Sequence, residues 1–430
     1  MVRTFLSFPI VDFQQTKLQM LNWANRFNIC CFLDNHQYQS PNHSLECILA
    51  AGSLGQLQAN AGNAFAQLQN FYIHEKDWLF GHFSYDLKNE IENLSSSNPD
   101  FIQFPDLFFF VPEIVLKLSA THLSIGMFGV EHDRVYKEIQ KNSFEIPGNK
   151  ISKPFTIYSR IKKEDYIDTI NQLKGHILRG DCYEINYCQE FFSEEAGIDP
   201  LQTYLSLSEI SPNPFSAYYK VINKYCLCAS PERYLKKEGN RLISQPIKGT
   251  WRRNIGDPLV DEQNRQLLYQ SEKDRAENVM VVDLVRNDLS KICEEGSVKV
   301  EELFGIYSFP NVHQMISTIE GQIRRDVSWV DAIKASFPMG SMTGAPKKKV
   351  LELIEQYEQS RRGLFSGALG YITPEGDFDF NVVIRSILYN SQSNYLSYHT
   401  GSAITFQSIP EDEYEECLLK GSAIKKVLAF

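Results

Sequence analysis

Pro246-Ile247-Lys248-Gly249-Thr250 is the stretch on which the reading of this chain turns. The alternating segment Arg241-Leu242-Ile243-Ser244-Gln245 leads into it as a strand. Pro246 lacks the amide proton that ladder pairing needs, and Gly249 lets the backbone pass close to a bulky neighbour. Lys248 is therefore expected on a stiff loop, not on a helix face. One reading is an exposed loop lysine, the usual state of the residue. The other is a lysine pushed towards neutrality by burial and able to act as a nucleophile. The five residues alone leave both open.

Outside this stretch, the totals bound the class. A chain of 430 residues makes one large domain or two or three ordinary ones. Its 43% hydrophobic and 22% charged residues are those of a soluble globular protein with a full core. The net charge of −10, from 43 basic and 53 acidic residues, argues against nucleic acid and against an anionic membrane surface as partners. Nine cysteines cannot all pair within the chain, and none forms a C-x-x-C pair, so reduced thiols and a cytoplasmic location are expected. Residues 1–10 show no signal-peptide pattern, and the apolar run at 107–111 is far too short to span a bilayer.

Two regions are expected, 1–150 and 155–428, divided by the Pro-, Gly- and Asn-bearing segment 145–154. The first is the less regular, with a helix near 17–27 and strands at 29–33, 78–86 and 105–118. In the second, helices are expected at 163–178, 271–289, 347–358 and 410–428. Strands are expected at 182–192, 215–221, 225–229, 297–307, 312–322, 367–372, 379–389, 394–398 and 404–406.

Several constellations could carry chemistry. The last helix opens with Glu411, Asp412, Glu413, Glu415 and Glu416, which complement its dipole. Glu413, Glu416 and Lys420 share one face with Cys417, Ala423 and Ile424, which look packed, and acids on a packed face need a cation or a metal ion. Glu277 lies near the apolar stripe of the helix at 271–289. Two glutamates from different helices suit magnesium, while an ion pair of Glu277 with Lys273 is the plainer alternative. The loop 340–346 opens a helix whose N-terminal amides would receive an anion, though it is not a Walker loop. Arg385 inside an expected strand and the close-approach turn Gly401-Ser402-Ala403 complete a pocket for a small polyanion, a dicarboxylate by its charge.

At these motifs the sequence resembles the chorismate-utilising enzymes. The matching pieces run in order through 155–428. They are Gly180-Asp181-Cys182-Tyr183, Ser230-Pro231-Glu232-Arg233-Tyr234, the stretch at 246–250, and Lys273-Asp274-Arg275-Ala276-Glu277-Asn278. Val282-Asp283-Leu284-Val285-Arg286-Asn287-Asp288-Leu289, Thr343-Gly344-Ala345-Pro346-Lys347, Ile384-Arg385 and Glu413-Tyr414-Glu415-Glu416 follow. Weaker similarity reaches Phe32-Leu33-Asp34 and 81–87. The resemblance implies an α+β fold like that of anthranilate synthase component I, with two facing antiparallel sheets flanked by helices. Lysine at 248 is similar to the aminodeoxychorismate synthase type, whereas anthranilate synthases carry alanine there. It implies attack of Lys248 on the chorismate ring, with Glu232 as general acid and base, and displacement of the lysine by ammonia. It also implies magnesium held by Glu277 and Glu416 with Glu413 behind them. Thr250, Tyr371, Arg385, Gly401, Ser402, Lys420, Thr343 and Gly344 would then receive the substrate.

Gln314 stands where most relatives have histidine, Glu184 where amine-transferring relatives usually have glutamine, and Ala403 where glycine is usual. Trp251-Arg252-Arg253 also lacks the usual proline. No G-x-C-x-G nucleophile turn is present, so ammonia is expected from a separate glutamine amidotransferase subunit. An anthranilate synthase component I and a non-catalytic chorismate-binding subunit remain as alternatives.

Overall fold

Ile29–Asp34 shows how the apolar runs of this chain become strands. Ile29 and Cys31 join the core between two sheets, while Cys30 and Phe32 join a second core on the outer face. A strand buried on both faces reads as an unbroken apolar run, which is why Ile29-Cys30-Cys31-Phe32-Leu33 shows no alternation. The structure is a computed structural model describing residues 2–38, 42–43, 45–142, 154–309 and 312–429.

Among the described residues the strands form a twelve-stranded and a ten-stranded sheet. The larger runs Thr4–Pro9, His122–Met127, Ile114–Leu118, Cys47–Ala51, Ile29–Asp34, Phe215–Val221, Lys224–Ser230, Ser386–Asn390, Tyr395–Ile404, Glu184–Ser193, Gly344–Ala345, with Tyr158–Ser159 on the strand Glu184–Ser193. The smaller runs Ile247–Arg252, Val312–Gln322, Arg241–Gln245, Arg233–Glu238, Phe378–Val382, Ala368–Ile372, Leu79–Phe83, Leu107–Val111, Gly55–Ala59, with Lys299–Ser308 also on Val312–Gln322. One core lies between them, packing Cys31, Ala217 and Cys228 of the larger sheet with Phe80, Leu235 and Phe380 of the smaller. The second core seats helices on the outer face of the larger sheet through Trp23, Tyr166, Ile170, Leu173, Tyr204 and Leu351. The expected helical stripe at 163–178 is the face that supplies Tyr166, Ile170 and Leu173. The fold is thus α+β, with two facing antiparallel sheets.

Residues 1–150 and 155–428 build the same two sheets. Ile29–Asp34 pairs with Phe215–Val221, and Leu79–Phe83 with Ala368–Ile372. Of the segment 145–154 expected to divide them, 145–153 lie outside the described residues.

Four expectations need correction. Lys248 is not on a loop: it sits on the strand Ile247–Arg252, which pairs with Val312–Gln322. The register skips between Ile247↔Ile316 and Thr250↔Gln314, so Lys248 and Gly249 bulge opposite one residue, with Gly249 at φ 89°. The expected strand 379–389 is two strands, Phe378–Val382 and Ser386–Asn390, because the chain changes sheets there and Arg385 takes φ 51° at the crossing. Tyr395–Ile404 is one strand through Gly401, not two strands with a turn between. A Cβ at Gly401 would lie 2.1 Å from the Tyr187 carbonyl oxygen, so glycine permits the close pairing with Glu184–Ser193. The last helix divides at Gly421 into Pro410–Lys420 and Ser422–Leu428.

Candidate functional site

Two chain crossings between the sheets bring the site together. Pro231 and Glu232 join Lys224–Ser230 of the larger sheet to Arg233–Glu238 of the smaller, and 383–385 make the reverse passage. The crossings are bonded to each other: the Val382 amide donates to the Glu232 carbonyl at 3.0 Å and the Ala229 amide to the Arg385 carbonyl at 3.3 Å. The bulge of Ile247–Arg252, the helix Glu272–Ser290, the first residue of Glu184–Ser193 and the helix Pro410–Lys420 face this corner.

Lys248 is buried there. Its Nζ donates to Glu184 Oε1 at 2.9 Å and lies 4.0 Å from Glu277 Oε2. Burial works to lower its pKa, but Glu184, Glu277 and Glu232 outweigh it and raise the pKa above the ordinary lysine value. The neutral amine expected from burial is thus not the resting state; the surrounding acids hold an ammonium. Glu184 is buried and its Oε2 has no hydrogen-bond partner among the described residues. Nothing in the local pattern pairs it with a lysine 64 positions away; as sequence it was visible only as a departure from glutamine.

Glu232 is fully enclosed. Burial pushes its carboxyl up to about 7, with the Ser341 hydroxyl, Lys248 and Arg385 opposing. Folding therefore takes up a proton at this group between its ordinary 4.5 and about 7. Its stabilising contribution is complete below 4.5 and is lost as pH rises through about 7. Relative to Glu232→Gln, the wild-type chain should lose roughly 3 kcal/mol across that window. Urea unfolding of both proteins from pH 4.5 to 8 measures this, and a constant difference would remove the perturbed carboxyl.

A second acidic cluster adjoins the first. Lys273 Nζ stands 3.3 Å from Glu413 Oε1, 3.8 Å from Glu416 Oε2 and 4.0 Å from Glu277 Oε1. Burial pushes Glu277 up to about 7, Lys248 opposing and Glu184 adding to it. Burial would also raise Glu416, but Lys420 at 2.8 Å and Lys273 carry it below the ordinary carboxylate value. Glu413 is buried, and its Oε2 has no partner among the described residues. Among those residues no three acidic, histidine or cysteine side chains close on a metal-sized point as they stand. What Glu277, Glu413 and Glu416 surround is an ammonium ion. All-oxygen donors gathered on one cation, with a buried carboxylate oxygen left over, fit a hard divalent ion.

The expected substrate contacts divide. Arg385 flanks Glu232, and Lys420 donates to the Gly401 carbonyl at 2.9 Å. The Ser402 hydroxyl is buried without a partner among the described residues, and so are both amide atoms of Gln314, across the ladder from exposed Thr250. Thr343 and Gly344 are tied to the neighbouring backbone. The Thr343 hydroxyl lies within donating distance of the Met339 and Gly340 carbonyls, at 3.2 and 3.3 Å. A Cβ on Gly344 would meet the Glu184 carbonyl oxygen at 2.1 Å. Their loop pairs as Gly344–Ala345 against the strand that carries Glu184. Tyr371 belongs to a different cavity, between the sheets with Leu33, Asp34, Arg233 and Asp379, where its ring packs on Trp78 and Phe80. The strand alternation that turns Leu369 and Tyr371 the same way sends both there.

The profile of the chorismate binding enzymes matches residues 30–426. The chain is 41% identical over 386 residues to a probable chloroplastic aminodeoxychorismate synthase of Oryza sativa, covering 89% of this chain but 40% of that relative. It is 33% identical over 363 residues to aminodeoxychorismate synthase component 1 of Escherichia coli, covering 83% of this chain and 79% of that one. Among solved structures, anthranilate synthase component I from Streptococcus pneumoniae superposes with a TM-score of 0.78 at 23% identity, covering 91% of this chain and 94% of that one. The menaquinone-specific isochorismate synthase of Escherichia coli gives 0.76 at 16% identity, covering 99% and 95%. These two likenesses bear on the fold. No described helix is long and apolar enough to cross a membrane.

Proposed function

The chain belongs to the chorismate binding enzyme family, and on that premise we propose that it is an aminodeoxychorismate synthase component I, converting chorismate and ammonia to 4-amino-4-deoxychorismate for para-aminobenzoate and folate synthesis. The observation that carries this reading is the Lys248 amine, buried between Glu184 and Glu277 with Glu232 close enough to act on its charge. The proton that Lys248 must shed has an acceptor 2.9 Å away in Glu184 Oε1. The freed electron pair bonds to a ring carbon, the ring double bond shifts, and the allylic hydroxyl leaves as water with a proton from Glu232. A carboxyl titrating near 7 holds that proton in a useful fraction of molecules at neutral pH. Ammonia then adds at the carbon that lost the hydroxyl, the double bond returns, and the Lys248 amine departs.

Arg385 and Lys420 supply positive charge for the two carboxylates of the substrate, and Ser402 and Gln314 supply buried polar atoms without partners among the described residues. Glu277 and Glu416 would hold magnesium, with Glu413 behind them. The ion would draw charge from a substrate carboxylate as the ring takes on electrons. The ammonia would come from a separate glutamine amidotransferase subunit, as the component naming of the bacterial relatives suggests. All nine cysteines are buried free thiols, which suits a reducing compartment such as the cytoplasm.

Purified protein incubated with chorismate, magnesium and ammonium should form 4-amino-4-deoxychorismate, identified by mass. Formation of fluorescent anthranilate, or no conversion of chorismate, would overturn the proposal.

A further inference from the structure

Lys273 belongs to none of the steps above, yet its ammonium lies within 4.0 Å of all three carboxylates of the acidic cluster. It lies in the first turn of the helix Glu272–Ser290, four residues before Glu277, so the two share a face. From there it reaches across to Glu413 and Glu416 of the other helix. The two carboxylates it reaches there differ in need. The Glu413 side chain is 2% exposed, and an acid so enclosed requires a cation nearby. Glu416 already has Lys420 at 2.8 Å.

We propose that Lys273 is a tethered counter-ion of the acidic cluster, which holds Glu277, Glu413 and Glu416 together until a divalent cation displaces it. This rests on the metal-binding part of the function proposed above.

Three features assign the exchange to this lysine and not to its neighbours. The Lys273 side chain is 51% exposed, so its ammonium can swing into water by rotating the stem, without moving backbone. Lys248 is 9% exposed and fastened to Glu184, so it cannot leave. Lys420 also donates to the Gly401 carbonyl, and it grips Glu416 by the oxygen opposite the one facing Lys273. The second oxygen of Glu413, buried and without a partner among the described residues, shows that one ammonium does not use up the acceptor capacity of the cluster. A divalent ion brings twice the charge and takes more oxygen ligands. Between exchanges the lysine keeps three mutually repelling carboxylates on two helices from spreading. The metal must then compete with an internal cation, so affinity is set partly by how readily Lys273 lets go.

Calorimetric titration of magnesium into the full chain without substrate tests this. Lys273→Met should bind magnesium about tenfold more tightly than wild type, the worth of three partly exposed ion pairs no longer broken. Lys273→Arg, which keeps the charge, should stay near wild type. With EDTA, Lys273→Met should melt below wild type, and magnesium should raise its melting temperature by more. Should Lys273→Met melt too early for calorimetry, Lys273→Gln takes its place. Equal or weaker magnesium binding by the uncharged variant, with both proteins binding, overturns the exchange and leaves the metal site standing. If neither protein binds magnesium, the metal reading falls and the exchange with it.

Discussion

Lys248→Ala is expected to lower turnover of chorismate with ammonium by at least about a thousandfold, the scale seen when a covalent nucleophile is removed. Magnesium binding should persist, because Glu277, Glu413 and Glu416 all remain in place. The physical basis is the position of the amine. Lys248 lies on a bulge, and a bulge re-aims one side chain out of the regular alternation of a strand. Gly249 makes this conformation inexpensive, since its φ of 89° would strain any residue with a Cβ. The variant also leaves Glu184 buried with neither oxygen partnered by an ammonium, so a fall in stability is expected beside the loss of rate. Thermal melts separate the two, because a folded and inactive variant isolates the chemical role. Mass spectrometry of wild type quenched with chorismate and no ammonium should show a covalent adduct on Lys248, absent from the variant. Undiminished turnover by Lys248→Ala would remove the amine from the mechanism.

How much of the fold is legible in the sequence differs between its parts for physical reasons. The helix at 163–178 and the strands at 215–221 and 225–229 are legible because hydrophobic period is local. The four-residue spacing of Glu416 and Lys420 placed that pair correctly for the same reason. The strand expected at 379–389 is two, because an apolar run does not show that the chain leaves one sheet for the other at Arg385. Resemblance assigns Tyr371 to the substrate, yet strand alternation puts it beside Trp78, on the side of Leu369. Glu184 and Lys248 meet only through the tertiary fold, and their meeting reverses the protonation state that burial alone suggested. The four-residue spacing of Lys273 and Glu277 predicts their ion pair, and the structure places the two charges 4.0 Å apart.

Arg362 carried no signal at all, lying in Arg361-Arg362-Gly363 outside every motif, and it supports the other prediction of large effect. It is 2% exposed and donates to both oxygens of Glu358, at 3.0 and 2.7 Å. It also donates to the carbonyls of Met342 at 2.7 Å and Asn186 at 2.8 Å, with its guanidinium over the ring of Tyr85. Glu358 in turn accepts from the Cys188 amide at 2.9 Å. The pair therefore clamps the loop that presents Ser341 to Glu232 against the strand that presents Glu184 to Lys248. Removing one partner of an enclosed pair strands the other charge away from water, so Arg362→Met should cost roughly 3–5 kcal/mol. That is a large part of the 5–15 kcal/mol by which domains are typically stable. Replacing both partners by groups of similar shape removes the stranded charge, so Arg362→Met with Glu358→Gln should recover part of the loss. Urea unfolding of the three variants measures the cycle. The carbonyls of Met342 and Asn186 stay unpaired in the double variant, so its activity should remain low even where its stability returns. A loss below about 1 kcal/mol in the single variant would show instead that water reaches Glu358 and that the clamp does not hold the site.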